Sequence, residues 1–222
     1  MILYTVKNGA YYNLEDFKAD LSDLGENGFP NKIYINMTNR CSCACTFCLR
    51  SLKEFNEHNS LWLKEEPTVE EVETEFMKYD WSKVEEIIFC GFGEPTMRLK
   101  DLTEVASWLK KMHPDVPIRV NTNGLADLVF ERSTAKDLQG IVDTVSISLN
   151  SSDAQKYVDV TRNQFGLSSY AAMLSYAKDC QKYVPNVVMT VVDIIGEEEV
   201  AACQKVCDDN GLFLRVRPYE EN

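Results

Sequence analysis

Four cysteines fall within the eight positions from 41 to 48, at Cys41, Cys43, Cys45 and Cys48. Read as Cys41-x3-Cys45-x2-Cys48, three of them could supply thiolates from a single loop. Three thiolates suit a [4Fe–4S] cluster in which one iron is left without a protein ligand. A structural zinc site needs four ligands. On spacing alone, two alternative interpretations remain. The four cysteines could together form a zinc site, or they could be four thiols that bind no metal.

A second stretch with residue types suited to chemistry is CGFGEPTM, at residues 90–97. Gly91 and Gly93 would let backbone groups approach a ligand closely, and Glu94 carries the charge to meet an ammonium group. Pro95 restricts the path of the chain as it leaves the preceding strand. On its own, the stretch also fits a simple strand-to-helix turn.

Both stretches follow strands in a chain that alternates strands and helices after an N-terminal hairpin over residues 1–13, whose turn is at Lys7–Asn8–Gly9. The predicted strands are 32–38, 84–90, 117–124, 143–151, 186–195 and 212–220. The predicted helices are a short one around Glu15–Leu24, then 68–81, 99–112, 131–140, 152–162, 167–184 and 197–211. This alternation predicts a parallel sheet with right-handed crossovers, either doubly wound or part of a barrel. In both architectures the chemistry lies at the carboxyl ends of the strands.

Polar residues also mark the ends of later strands. Asn121 and Asn123 stand in VNTNG, while Ser146, Ser148 and Asn150 share one face of their strand because side chains alternate with a period of two. Polar residues on one face of a buried parallel strand predict a polar cavity or a satisfied internal hydrogen bond. Arg215 and Arg217 share a face of the last strand, and could bind an anionic substrate or lie in solvent.

Composition limits the classes of function. The chain has 222 residues and a formal net charge of −12, which argues against a sequence-independent nucleic-acid binder. No signal peptide and no apolar run of ~18 residues is present, so we predict a cytoplasmic protein without a membrane partner. Eight cysteines in a reducing compartment favour metal or redox chemistry over disulfides. We predict one compact domain, with a hairpin and connection over 1–31 and the main domain over 32–222.

The cysteine stretch CSCACTFC resembles the cluster loop of the radical S-adenosylmethionine (radical SAM) superfamily, with Phe47 as the aromatic residue before the last cysteine. The resemblance implies that Cys41, Cys45 and Cys48 bind the [4Fe–4S] cluster and that Cys43 does not. The stretch CGFGEPTM resembles the GGEP motif of the superfamily, with Phe92 inserted between the glycines. In the family, this segment holds the amino group of S-adenosylmethionine.

The resemblance implies further cofactor contacts. Asn121 and Asn123 would contact the ribose or carboxylate of S-adenosylmethionine, and Ser148 and Asn150 would reach the same ligand. Arg162 is a candidate for the carboxylate, and Val192, with its neighbour Val191, would line the adenine. The implied fold is a partial (β/α)6 TIM-like barrel with the hairpin as an extension. The stretches Tyr34–Cys41 and Cys45–Arg50 resemble the small TatD-associated radical SAM proteins.

The activity that the resemblance implies is reductive cleavage of S-adenosylmethionine to a 5′-deoxyadenosyl radical, which abstracts hydrogen from an unidentified small-molecule or protein substrate. The expected reductant is a flavodoxin or ferredoxin, with Arg40, Arg50 and Lys53 as a positive docking rim. Alternatives are a glycyl-radical-type activating enzyme for a partner protein, an enzyme acting on a peptide or small metabolite, and a non-catalytic zinc or iron–sulfur protein.

Two further features have a structural and a functional interpretation. Cys203 and Cys207 lie four residues apart on one predicted helix, and we expect buried apolar cysteines there rather than the start of an auxiliary cluster. Residues 49–67 form a polar segment with Trp62 between two leucines. They could form a lid, or Trp62 could be a simple hydrophobic anchor.

Overall fold

The computed structural model describes residues 1–26, 28–52 and 60–219, and strands and helices alternate along them as predicted. The described residues form two units. The first comprises Met1–Arg40 and the described residues from 60 to Val120, and the second comprises Cys41–Leu52 and Asn121–Tyr219. The boundary falls within strand β5 (Ile118–Thr122). The predicted division into 1–31 and 32–222 stays a prediction.

The strands of the first unit combine the hairpin with parallel strands. Strand β1 pairs antiparallel with β2 and β3, and β3, β4 and the first part of β5 are parallel. The hairpin turns at Asn8 and Gly9, both with positive φ (49° and 72°), as a type I′ turn requires. The strand bounds are β1 Leu3–Lys7, β2 Ala10–Asn13, β3 Lys32–Ile35 and β4 Glu86–Phe89.

One face of these strands is apolar and buried, because alternate residues point to the same side. The buried strand residues are Ile33, Ile35, Ile87, Phe89, Ile118 and Val120. Helices α2 (Val69–Phe76) and α3 (Leu99–Met112) contact each other and add their own buried apolar stripes. Thr68 and Glu71 form a capping box that starts α2.

The second unit contains three parallel strands, with β7 between β6 and β8. The strand bounds are β6 Thr144–Ser148, β7 Asn186–Val192 and β8 Phe213–Arg217. The helix bounds are α1 Leu49–Leu52, α4 Ala126–Phe130, α5 Ala154–Thr161, α6 Ser168–Cys180 and α7 Glu197–Asn210. Cys203 and Cys207 are fully buried on α7, as expected of apolar core cysteines.

Three predicted helices differ in the structure. The helix around Glu15–Leu24 is wrong: a short 3-10 helix ends at Asp16, and Leu21 has a left-handed φ of 48°, which a helix does not tolerate. The helix over 68–81 ends at Phe76, whose carbonyl accepts from the indole of Trp81. In place of 131–140, α4 ends before left-handed Glu131 and a short 3-10 helix follows over Ala135–Leu138.

The mixed α/β class, with parallel strands and an N-terminal hairpin, is confirmed. Among the described residues, none of the helices has the length and apolar character needed to cross a membrane. The predicted cytoplasmic location stays a prediction.

Candidate functional site

The cysteine loop of the second unit is held by the end of a helix. The backbone amides of Ala44 and Thr46 donate to the carbonyls of Thr161 and Val160, at 3.0 and 2.9 Å. These carbonyls belong to the last turn of α5, where no further helical amide is available to bond them. The end of α5 therefore fixes the path of the loop.

The four cysteines of the loop differ in exposure. Cys41, Cys45 and Cys48 are partly exposed, whereas Cys43 is buried, with 5% of its surface accessible. The Arg50 side chain donates to the Cys43 carbonyl at 3.1 Å, which keeps this part of the loop turned inward. The three cysteines with the C-x3-C-x2-C spacing are thus the three that an external group can reach.

The thiols of the loop also differ in acidity. The pKa of Cys45 is lowered, chiefly by a hydrogen bond with the Cys43 thiol. The pKa of Cys43 is raised by its hydrogen bonds with Cys41 and Cys45 and by burial. Burial raises the pKa of Cys48. Of this pair, Cys45 is therefore the more acidic thiol and the buried Cys43 the less acidic one.

Within the described part of the chain, no three His, Cys, Asp or Glu side chains converge in a way that could hold a single metal ion. This includes the cysteine loop. A [4Fe–4S] cluster binds each thiolate through a different iron, so its ligands need not converge on one point.

Two asparagines at the end of β5 behave differently. Asn123 directs its amide nitrogen at the cysteine loop, 3.1 Å from Ser42 Oγ, and its Oδ1 accepts from the Leu125 amide at 3.0 Å. The Oδ1 of Asn121 is buried and has no hydrogen-bond partner in the described structure. A buried acceptor without a donor costs about 1–3 kcal/mol, and a bound ligand could supply that donor.

Polar side chains line one face of β6–β8. The register places Ser148 beside Thr190, and Thr190 beside Arg215. Arg215 donates to Ser146 at 3.2 Å, so these strands carry a connected polar surface. The predicted candidate Val192 lies on this face next to Arg217. Its neighbour Val191 points to the opposite, buried face.

Asn150 and Arg162 have left-handed backbones, with φ of 62° and 46°. Asn150 follows β6, and exposed Arg162 is the C-cap of α5 rather than a residue of its body. Phe47 is also exposed, at 42%. The structure therefore places these three predicted residues at loop positions open to solvent or only partly covered.

In the first unit, the loop after β4 packs tightly on the segment after β3. A Cβ on Gly91 would collide with the side-chain oxygen of Asn36, and one on Gly93 would collide with the carbonyls of Thr38 and Arg40. The amide of Glu94 donates to the Arg40 carbonyl at 2.8 Å. Gly93 is thus required by backbone packing and Gly91 by the close approach of the Asn36 side chain, and the sequence revealed neither reason.

Glu94 is buried, and its carboxylate is partly occupied by the protein itself. Its Oε1 accepts from the amide and hydroxyl of Thr96, at 3.1 and 2.7 Å, which caps the 3-10 helix over Pro95–Arg98. Pro95 is buried in the first position of that helix, where its missing amide proton is harmless. This network orients the Glu94 carboxylate.

The inserted Phe92 has a packing partner in the N-terminal hairpin. Phe92 is buried and meets Tyr11 and Trp62 edge-on, with ring centroids 6.1 and 5.4 Å apart. The hydroxyl of buried Tyr4 donates to the Cys90 carbonyl at 3.2 Å. The hairpin therefore supports the loop that carries Glu94, and the sequence contained no signal for it.

The segment after the undescribed residues lies along the segment after β3. Asn36 donates to the Leu61 carbonyl at 2.6 Å, and Asn39 exchanges two hydrogen bonds with the backbone of Leu63. Arg40 forms a bidentate ion pair with Glu66. In the predicted 49–67 lid, residues 60–66 are thus attached to the first unit, and residues 53–59 lie outside the described residues.

The chemistry of these residues fits the two cofactors that the sequence predicts. In the second unit, three accessible thiols stand in one loop, and the Oδ1 of Asn121 has no donor among the described residues. In the first unit, Thr96 orients the carboxylate of Glu94. The predicted contacts themselves stay predictions. Sequence reasoning missed the residues that hold the candidate side chains and their loops in position. These residues are Tyr4, Asn36, Ser42, Thr96 and Glu66.

Comparison with known proteins supports one family. The model of the radical SAM superfamily matches residues 35–204, well over half of the chain. GTP 3',8-cyclase of Corynebacterium glutamicum is 27% identical over 219 residues, which cover 95% of this chain and 54% of the relative. The Aquifex aeolicus protein of the same name is 25% identical over 185 residues, 83% of this chain and 55% of the relative. The chain spans about half the length of these curated relatives.

Among solved structures, a radical SAM methyltransferase from Sphaerobacter thermophilus covers 86% of this chain and 67% of its own, at 13% identity and a TM-score of 0.43. That likeness is distant and adds nothing to the family match. The family generally uses a [4Fe–4S] cluster and S-adenosylmethionine, and the match supports the prediction of an enzyme of this class. The matched residues include the cysteine loop and the Glu94 loop. The chain therefore belongs to the radical SAM superfamily.

Proposed function

We propose that this chain binds a [4Fe–4S] cluster through Cys41, Cys45 and Cys48 and cleaves S-adenosylmethionine reductively. The observation that carries the proposal is the difference in burial within the loop. The three cysteines with the family spacing are accessible, and the extra Cys43 is buried. Three protein thiolates leave one iron for a small-molecule ligand.

When bound, the cluster supplies the electron that cleaves S-adenosylmethionine to methionine and a 5′-deoxyadenosyl radical. The chain's own residues bind and orient. The α5 carbonyls of Val160 and Thr161 hold the cysteine loop in place. Glu94, oriented by Thr96, accepts hydrogen bonds from the ammonium group of the ligand. Asn121 Oδ1, for which the described residues supply no donor, accepts a hydrogen bond from the ligand.

The remaining predicted contacts keep their proposed roles. Ser148 and Asn150 reach S-adenosylmethionine from the polar face of β6, Val192 lines the adenine, and Arg162 meets the carboxylate. The bound cofactors would thereby supply hydrogen-atom abstraction from a substrate that is a small molecule or a protein. The curated relatives are named for an activity on GTP, so GTP belongs in the first substrate screen. The resemblance to TatD-associated proteins supports no particular substrate.

The proposed reductant is a flavodoxin or ferredoxin. Of the three cations proposed as a docking rim, Arg40 is neutralised by its bidentate pair with Glu66. Lys53 lies outside the described residues. Arg50 is partly exposed two residues after Cys48, and it and Lys53 supply the other two charges of the proposed rim. A Lys53→Glu variant should slow flavodoxin-dependent turnover but not dithionite-dependent turnover. A flavodoxin-dependent rate equal to that of the wild type would reject the rim.

The function is tested by anaerobic reconstitution with iron and sulfide, reduction with dithionite and assay of 5′-deoxyadenosine after addition of S-adenosylmethionine. The Cys45→Ala variant should lose the product, whereas Cys203→Ala, which removes a buried thiol of α7, should retain it. A fully loaded cluster that yields no 5′-deoxyadenosine would reject the catalytic proposal and support a non-catalytic iron–sulfur protein. A colourless zinc-loaded protein would reject the cluster itself.

A further inference from the structure

The side chains of Cys43, the extra cysteine of the loop, and Asn123, the second asparagine of VNTNG, are in contact within the second unit. The Nδ2 of Asn123 is 3.5 Å from the Sγ of Cys43 and 3.9 Å from the Sγ of Cys41. The backbone amide of Cys43 also donates to Cys41 Sγ, at 3.4 Å. The same Asn123 nitrogen is 3.1 Å from Ser42 Oγ. Two N–H donors, one from the Asn123 side chain and one from the Cys43 backbone, therefore lie near the sulfur of Cys41, a proposed cluster ligand.

We propose that Asn123 is a positioning residue whose side-chain amide donates a hydrogen bond to the sulfur of Cys41 and thereby raises the reduction potential of the cluster. This inference rests on the proposed function, and it gives Asn123 a role other than contact with S-adenosylmethionine.

The orientation of the Asn123 amide is fixed by its other end. Its Oδ1 accepts from the backbone amide of Leu125 at 3.0 Å, so the nitrogen must face the loop. Gly124 follows with a φ of 75°, and a Cβ there would collide with Ile147 and Met173. The turn is therefore held against the core of the second unit, and the amide cannot rotate away without the loss of a backbone hydrogen bond.

Elementary electrostatics gives the direction of the effect. One electron from dithionite takes the cluster from the 2+ to the 1+ state, with no proton required and with one more negative charge on the cluster and its thiolates. Donors aimed at the ligand sulfurs stabilise that added charge, and hydrogen bonds to sulfur are among the factors that set cluster potentials. Their removal must therefore shift the potential to more negative values.

The test is an anaerobic redox titration, monitored by the electron paramagnetic resonance signal of the reduced cluster, without S-adenosylmethionine. Asn123→Asp retains the acceptor for the Leu125 amide but removes the donor and adds a charge. Asn123→Leu removes the donor without a charge. Cys43→Ala is the control, because it removes a thiol that is not a proposed ligand and leaves the Asn123 amide in place. Iron and sulfide content is measured for every variant.

We expect a more negative midpoint potential in Asn123→Leu and Asn123→Asp, and wild-type iron content without a negative shift in Cys43→Ala. If Asn123→Leu fails to fold, Asn123→Ala, which also removes the donor without adding a charge, takes its place. Loaded Asn123 variants with the wild-type potential would overturn the inference alone. So would a shift confined to Asn123→Asp, since it would report charge. A wild-type protein that binds no cluster would overturn the proposed function as well.

Discussion

The backbone amide of Glu94 donates a hydrogen bond of 2.8 Å to the carbonyl of Arg40, the residue immediately before Cys41 in the chain. This contact lies wholly within the first unit. It exists because Gly93 has no side chain where the two backbones approach, since a Cβ there would collide with the Thr38 and Arg40 carbonyls. A single glycine thus determines how the Glu94 loop sits on the segment that leads into the cysteine run.

We expect Gly93→Ala to destabilise the protein by about 1–3 kcal/mol, the usual effect of forcing a methyl group into a packed site. Backbone carbonyls cannot yield as a side chain can, so the loop must move and the affinity for S-adenosylmethionine should fall at least tenfold. Urea unfolding and equilibrium dialysis measure the two effects.

In the matched control Gly140→Ala, the new methyl group meets open space but the backbone has a φ of 76°. It should lose about 1 kcal/mol from backbone strain alone, with normal affinity. Unchanged affinity in Gly93→Ala would contradict the prediction.

The hairpin can be tested at Tyr4. Tyr4→Phe removes only the hydroxyl that donates to the Cys90 carbonyl, and we expect a loss of about 1 kcal/mol in the free energy of unfolding. Because Cys90 begins the Glu94 loop, affinity for S-adenosylmethionine should fall severalfold while iron content stays at the wild-type value. Tyr12→Phe, at a partly exposed ring of the same hairpin, is the control. Equal affinities in both variants would show that the hairpin does not support the loop.

Glu199 on α7 accepts a set of hydrogen bonds within the second unit that should weaken when its carboxylate is protonated. It accepts hydrogen bonds from the Ser152 amide, from the hydroxyls of Ser151 and Ser152, and from Lys156 at 3.0 Å. These bonds, led by the Ser152 amide, lower the pKa of Glu199 from 4.5 to about 2. A lowered pKa stabilises the folded state above pH 4.5, and that contribution is lost as the pH falls from 4.5 towards 2.

We expect Glu199→Gln to lower the free energy of unfolding at pH 7 by about 1–2 kcal/mol, since solvent screens part of the interaction. The difference from wild type should shrink below pH 4.5. Glu198→Gln changes an exposed carboxylate in the same first turn of α7, and it controls for the charge at the helix start. Urea unfolding between pH 3 and pH 7 measures both. A pH-independent difference would contradict the assignment.

The cysteines should separate into two classes of reactivity. Burial raises the pKa of Cys203 to about 12 and that of Cys207 to about 11, and neither has an accessible surface. In reduced protein without iron, iodoacetamide at neutral pH should therefore modify the accessible Cys41, Cys45 and Cys48 and leave the buried α7 pair untouched. Cys48 should react more slowly than Cys45, because burial raises its pKa and the thiolate is the reactive form. Peptide mass spectrometry reads the result. Rapid labelling of Cys203 would contradict the prediction and show that α7 opens. Loss of the cluster in the folded Cys203→Ala variant would indicate that Cys203 is a cluster ligand.

The sequence by itself determined the features that are written in local spacing. The apolar stripe of α3 predicted its bounds, Leu99–Met112, and Asn8–Gly9 predicted the hairpin turn. The C-x3-C-x2-C spacing predicted the family, because cluster ligands on one loop need only local geometry. Helix ends were less predictable, since Leu21 and Glu131 have left-handed backbones that their residue types do not favour.

Only the tertiary structure decided which side chains act on one another across the chain. Asn123 and Cys43 are 80 positions apart, and Tyr4 and Cys90 are 86 apart. No periodicity relates such pairs, because their approach depends on the order of the strands and on the packing of buried faces. The same applies to Gly93, whose need for a bare Cα comes from the Thr38 and Arg40 carbonyls. Burial of Cys43, rather than of its three neighbours, was likewise decided by the fold, since all four have the same chemistry in the sequence.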